Sequence, residues 1–213
     1  MLTVKPDAQL DLRGIISHFP DNLGNLQPSF DVLNLLSLDA AGPLQASDEI
    51  RLFVRDLLRG GGFKPAGRNK PASEYLRGAA RVAKLSSINL AVDVCNVVSL
   101  HSGLPMSVVD LARVEPPLHV AVATESSSYV FNQSGQVIDV TGLLCLHDAQ
   151  GPCANAVKDA QRTKTSSTTR RTLSLLWSAV RLSKQADAAE AWYRTLLESH
   201  GCQTERCEMR MSD

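Results

Sequence analysis

The segment from Lys84 to Pro105 places reactive polar groups in an otherwise apolar helix. Asp93 and Asn96 stand among Val92, Val94, Val97 and Val98. A buried carboxylate or amide without a partner costs about 1–3 kcal/mol, so each must join a network or meet a ligand. Asn96 lies one turn from Ser99 on the same face and has few local backbone uses in mid-helix. A second polar run spans 158–171, with five basic side chains, one acid, and six hydroxyls between 163 and 169. Lysine, arginine and hydroxyl groups hydrogen-bond phosphate oxygens well. A helix cap uses one hydroxyl, so capping alone leaves several without a purpose. A third set lies in the loop from Gly62 to Leu76, which presents Lys64, Arg68 and Lys70. Its two Lys-Pro pairs hold the preceding residues extended.

Several other chemistries are absent. No Gly-x-Gly-x-x-Gly follows a strand, and there is no Walker A or Gly-x-Ser-x-Gly. His101 is close in sequence to Ser99 and Ser102, but helix neighbours one or two apart do not face each other. His147 beside Asp148 reads as a structural or surface histidine. The five cysteines are odd in number and lack zinc spacing. Cys95 and Cys145 lie in apolar runs and behave as small core residues. No metal and no cofactor is expected. Met1 to Leu10 has no apolar signal core, and no run of about 20 apolar residues exists. A reduced cytoplasmic setting, with no membrane partner, is the expectation.

The net charge is zero, yet it is unevenly distributed. Residues 1–50 hold two basic and seven acidic side chains, whereas 51–84 hold nine and two. A local basic face attracts phosphate whatever the total, although an isolated run also suits a solvated helix face.

The elements that must position these groups follow from pattern. Ser47 caps a helix whose Ile50, Phe53, Val54, Leu57 and Leu58 form one stripe, and Gly60-Gly61-Gly62 ends it. Ser73 is expected to cap a helix from Glu74 to about Lys84. Ser86, Ser87 or Asn89 caps the central helix, and Gly103 ends it. Strands are expected at Leu118–Ala123 and Leu143–Leu146, with a hairpin pairing Tyr129–Phe131 and Gln136–Val140. Asp148 to Pro152 reads as a turn. Thr165–Thr169 reads as the cap of a helix to about Leu182, and a last helix runs from Asp187 to about His200. Trp177 and Trp192 are expected in the core. Helices, then strands, then helices imply a mixed α/β or α+β fold, with helices layered around a mainly antiparallel or mixed sheet.

GFKPAGRNKPASEYLRGAA followed by SSINLAVDVCNVVSLHSGLPMSVVDL resembles the B3/B4 module of the phenylalanyl-tRNA synthetase β-chain, and more closely its free-standing relatives. The family pattern is similar to Asn-x-x-Val-Asp-x-Thr-Asn-Tyr-Val, then Gly-Gln-Pro-Met-His-x-Phe-Asp. Here it reads Asn89, Val92, Asp93, Cys95, Asn96, Val97, then Gly103-Leu104-Pro105-Met106-Ser107 and Asp110. The resemblance implies a single B3/B4-like domain over 1–213. Residues 1–46 would be an N-terminal extension, about 45–180 the family core, and 181–213 a C-terminal helix and tail.

That module edits: it hydrolyses tRNA mischarged with tyrosine. The resemblance therefore implies a mischarged aminoacyl-tRNA as partner. It implies a reacting group of Asn96, Ser107, Lys158 and Asp159, and a substrate pocket of Asn89, Asp93, Cys95, Gly151 and Asn155. Lys64, Arg68, Lys70, Arg162 and Lys164 would hold RNA. Ser107 replaces the family histidine. The Gly151-Pro152-Cys153-Ala154-Asn155 loop lacks the family acid, which implies an amino acid other than tyrosine. A non-catalytic module that binds tRNA, other RNA or a free amino acid is the alternative. There is no room for an aminoacylation core.

Overall fold

A computed structural model describes residues 1–5 and 7–211. The chain opens with strands β1 (Leu2–Val4) and β2 (Leu10–His18), a short helix α1 (Phe30–Asn34) and the longer α2 (Asp48–Arg59). Helices α3 (Ala72–Ala80) and α4 (Leu90–Ser102) follow, then strands β3 (Met106–Asp110) and β4 (His119–Val122). The hairpin β5 (Ser128–Val130) and β6 (Val137–Asp139) leads to β7 (Leu144–Asp148), β8 (Gly151–Asn155) and β9 (Arg171–Ala179). Helix α5 (Ser183–Glu198) and strands β10 (Gln203–Arg206) and β11 (Met209–Met211) complete it. The mixed α+β expectation holds. No described helix is long and apolar enough to cross a membrane.

The strands form three sheets. One is five-stranded, β11-β1-β4-β7-β8, with β1 parallel to both neighbours and the other pairs antiparallel. A four-stranded antiparallel sheet has the order β10-β2-β9-β3. The third is the β5-β6 hairpin. Leu173, Leu175 and Trp177 of β9 join a core with Val120 of β4 and Leu144 and Leu146 of β7. Leu176 of the same strand joins a second core with Val94 and Val97 of α4 and Tyr193 of α5. The four-stranded sheet is therefore the middle layer, between the five-stranded sheet and the helices. Residues 1–46 supply strands to both large sheets.

Several local expectations are corrected. Residues 171–179 form a strand, not a helix. As the central strand, covered on both faces, β9 reads as a near-continuous apolar run, and that pattern mimics a buried helix. Trp177 is in the core, but on this strand. The turn expected at Asp148–Pro152 closes early, and β8 begins at Gly151. Ser73 does not cap α3. Pro71 occupies that position, where its missing N–H has no cost, and Ser73 is buried inside the first turn. Helix α5 starts at Ser183, ahead of Asp187. Strands β3, β10 and β11 had no counterpart in the expected elements.

Other details match. Ser47 accepts from Ile50 N at α2, and Asn89 accepts from Val92 N at α4. Gly103 ends α4 with φ of 77°, the left-handed conformation glycine adopts without a Cβ clash.

Candidate functional site

The segment after β8 is pinned into a compact polar knot. Asn155 is 1% exposed, and its Oδ1 accepts from the N–H groups of Val157 (2.8 Å) and Lys158 (3.0 Å). Asp159 then folds back. Its Oδ1 accepts from Asn155 N at 3.2 Å and its Oδ2 from Val108 N of β3 at 3.3 Å. Ser107, also on β3, donates to the Asn155 carbonyl (2.9 Å) and accepts from Trp177 Nε1 (3.0 Å). From the hairpin, Tyr129 donates to the Lys158 carbonyl and accepts from Asn155 Nδ2. Burial pushes the Tyr129 phenol well above its ordinary value, which keeps it a neutral donor.

Asp159 is the chemically unusual group. Burial raises its carboxyl to about 6, and hydrogen bonds from Ser107, Asn155 N and Val108 N, with the charge of Lys164, limit the rise. The residue as a whole is half-buried, and its carboxyl is enclosed. Lys164 is held below its usual range chiefly by burial, and donates to the Phe131 carbonyl. Lys158 is lowered by burial and by Arg68, and its Nζ lies 4.1 Å from the Phe131 ring centroid. A cavity of about 390 Å³ opens beside it, lined by Arg68, Phe131, Gln136, Ile138, Asp139 and Lys158. A carboxyl raised toward neutrality, in the field of the Lys164 ammonium and next in sequence to the cavity-lining Lys158, has the basicity that general acid–base work needs.

The structure brings Ser107, Asn155, Lys158, Asp159 and Lys164 together. Cys95 lies within the electrostatic reach of Asp159, but it is buried and its thiol is pushed far up by burial first and by that carboxylate second. It is therefore an unreactive thiol. The remaining expected residues stand apart. Asn96 shares the only partly exposed stripe of α4 with Val92, and its side chain makes no hydrogen bond among the described residues. Asp93 is fully buried and accepts from Ser87 Oγ (2.5 Å) and Ile88 N (2.8 Å), which ties down the chain entering α4. Asn89 caps that helix and donates to Thr165 Oγ1 at 3.1 Å. Asn89 also lines a cavity of about 220 Å³ with Ser87, Ile88, Ser166 and Ser167.

Arg162 also departs from its expected place on an RNA face. Its guanidinium is turned inward onto Asp148 and the Gly151 carbonyl. Gly151 therefore serves the fold of the loop, with φ of 110°. Lys64 and Arg68 are exposed and Lys70 is half-buried. Tyr129, Phe131 and Trp177 read from sequence as hairpin and core residues, not as part of the site. The alternation of Tyr129 and Phe131 in the hairpin was the available signal, because it puts both on one face.

The family model of the B3/4 domain matches residues 63–188. No curated protein sequence matches. Among solved structures, the chain is similar to an N-terminal fragment of the phenylalanyl-tRNA synthetase β-subunit from Pyrococcus horikoshii, with a TM-score of 0.57 at 8% identity. The similarity covers 99% of this chain and 52% of that one, so the chain spans about half the length of the fragment. At this identity the likeness speaks to the fold alone.

Proposed function

Because the chain belongs to the B3/4 domain family, we propose that it is an aminoacyl-tRNA deacylase, binding a mischarged aminoacyl-tRNA and hydrolysing its ester. The fold it shares with a tRNA synthetase fragment supports tRNA as the partner. The observation that carries the chemistry is Asp159, a buried carboxyl raised to about 6 within the field of the Lys164 ammonium and next in sequence to Lys158.

In this reading the ionised Asp159 takes a proton from water as its oxygen adds to the ester carbonyl. The resulting oxyanion is stabilised by the Lys158 ammonium at the cavity wall. Collapse breaks the bond to the ribose oxygen, which takes the proton back from Asp159. Free amino acid and uncharged tRNA leave. Asn155 and Ser107 act as positioning residues through their bonds to the Asp159 loop. The acid-free 151–155 segment supports a substrate other than tyrosine. Five free, buried cysteines support a reducing, cytoplasmic setting.

A second reading has one specific observation in its favour. Ser107 stands where the family pattern has histidine, and its hydroxyl is buried and fully engaged. That supports a module that binds tRNA and hydrolyses nothing. A panel of labelled aminoacyl-tRNAs, tested with wild type, Asp159→Asn and Lys158→Ala, separates the two. Release of one amino acid, lost in both variants, is expected. Folded wild-type protein that releases none overturns the deacylase reading in favour of the binding one.

A further inference from the structure

A cavity of about 530 Å³ lies at the junction of α2, α3 and the end of α4. Its lining includes Arg51, Lys70, Arg77, Gly78 and Arg81, with the acids Asp48 and Glu74. Both acids are already paired. Glu74 takes Arg55 in two bonds of 2.6 and 2.7 Å, and Asp48 takes Arg51 at 3.1 Å. Lys70, Arg77 and Arg81 have no carboxylate partner among the described residues. Arg77 makes a single bond, from Nη1 to the Leu100 carbonyl at 3.3 Å. The groove therefore has an uncompensated cationic surface.

An exposed aromatic ring lies outside the lining but against one of its cations. Tyr75 is 61% exposed, and Lys70 Nζ sits 5.7 Å from its ring centroid. Cations interleaved with an exposed ring are how proteins hold single-stranded nucleic acid, phosphates on the charges and a base on the ring. The groove also adjoins the cavity lined by Lys158. Arg68 lines that cavity and Lys70 lines the groove, two residues apart. Ala72 N at the start of α3 bonds the Ala156 carbonyl in the Asp159 loop at 2.8 Å.

We propose that this groove binds a single-stranded RNA segment, its phosphates on Lys70, Arg77 and Arg81 and one base on Tyr75. The proposal rests on the tRNA reading above and names the surface that would receive the strand leading to Asp159.

The test is fluorescence anisotropy with a labelled single-stranded RNA and with uncharged tRNA, titrated at several salt concentrations. Arg81→Ala should weaken binding and flatten the log–log salt slope by about 0.7, one phosphate contact. Gly78→Asp should also weaken it, because the Cβ at that position points into open space with only Lys70 Nζ nearby, at 3.9 Å. Tyr75→Ala should weaken binding at least about fivefold with no change in slope, since stacking releases no counterions. Lys184→Ala, an exposed lysine on α5, should change nothing. All four positions are open, and circular dichroism checks each fold. The proposal is overturned if wild type binds no RNA, or if the three groove variants bind as wild type does. It is also overturned if Lys184→Ala weakens binding as much as they do. Deacylation without groove-dependent binding leaves the enzyme reading intact. Groove-dependent binding without deacylation leaves the groove intact and removes the enzyme reading.

Discussion

Arg162 grips Asp148 with both prongs of its guanidinium, Nη1 to Oδ2 at 2.6 Å and Nη2 to Oδ1 at 2.7 Å. The Asp148 side chain is fully buried, and the pair closes the base of the loop that carries Asn155 and Asp159. Burial alone would raise the Asp148 carboxyl. The Arg162 bonds and the N–H groups of Glu115 and Gln150 outweigh it and hold the group below its ordinary value. Arg162→Ala strands a buried carboxylate, so it should cost about 3–5 kcal/mol by denaturant unfolding. The pair's contribution is present above the unfolded pKa of about 3.9 and is lost as pH falls through the lower folded value. A variant as stable as wild type at pH 7 would show that the pair is dispensable.

Asp159 has the opposite sign. Its folded carboxyl is raised to about 6 from 3.8. Between those values the folded protein holds a proton that the unfolded chain has released. Stability from this group therefore falls as pH rises through that window and stays lower above it. Relative to Asp159→Asn, wild type should lose about 2–3 kcal/mol between pH 4 and pH 7. Unfolding midpoints of the two proteins across that range check it. Parallel curves would mean that Asp159 titrates normally and lacks the basicity its proposed role requires.

The helical stripes of α2, the Asn89 cap, the Gly103 stop and the β5–β6 hairpin were legible because each rests on local chemistry. Strand β9 was not, because its two-sided burial depends on β2 and β3, which pair with it from distant parts of the sequence. The site divided in the same way. Ser107, Asn155 and Asp159 were reached through the family resemblance. Whether Asp93 or Arg162 met a ligand or the protein itself depended on Ser87, Ile88 and Asp148, and no spacing rule connects those partners. Tyr129 became visible only once the hairpin was seen lying over the Asn155 turn.

Tyr129 and Asn155 should couple. Asn155→Ala removes the acceptor for the N–H groups of Val157 and Lys158 and the donor to Tyr129, all in a buried place. Two unsatisfied backbone donors give an expected cost of about 2–4 kcal/mol. Tyr129→Phe loses its bonds to Asn155 and the Lys158 carbonyl and should cost about 1 kcal/mol. In the double variant the costs should fall short of additivity by 0.5 kcal/mol or more, as roughly expected for a shared network. Additive costs in a denaturant series would show that hairpin and loop are independent.

The start of α4 gives the last prediction. Asn89 presents Oδ1 to Val92 N at 3.1 Å, and Asp93 in the first turn takes the Ile88 N–H and the Ser87 hydroxyl. Side chain and backbone thus satisfy one another across the helix start, as in a capping box. Asn89→Ala should cost about 1 kcal/mol, whereas Asn89→Asp keeps an acceptor at the positive helix end and should stay within about 0.5 kcal/mol of wild type. Asp93→Ala loses two hydrogen bonds to a carboxylate and should cost about 1–3 kcal/mol. Asp93→Asn should be milder, because its amide carbonyl still accepts from Ile88 N. The order of unfolding midpoints, with Asn89→Asp highest and Asp93→Ala lowest, follows from capping alone. If Asp93→Ala proves as stable as wild type, the carboxylate is not held by this network and its placement must be explained by a ligand.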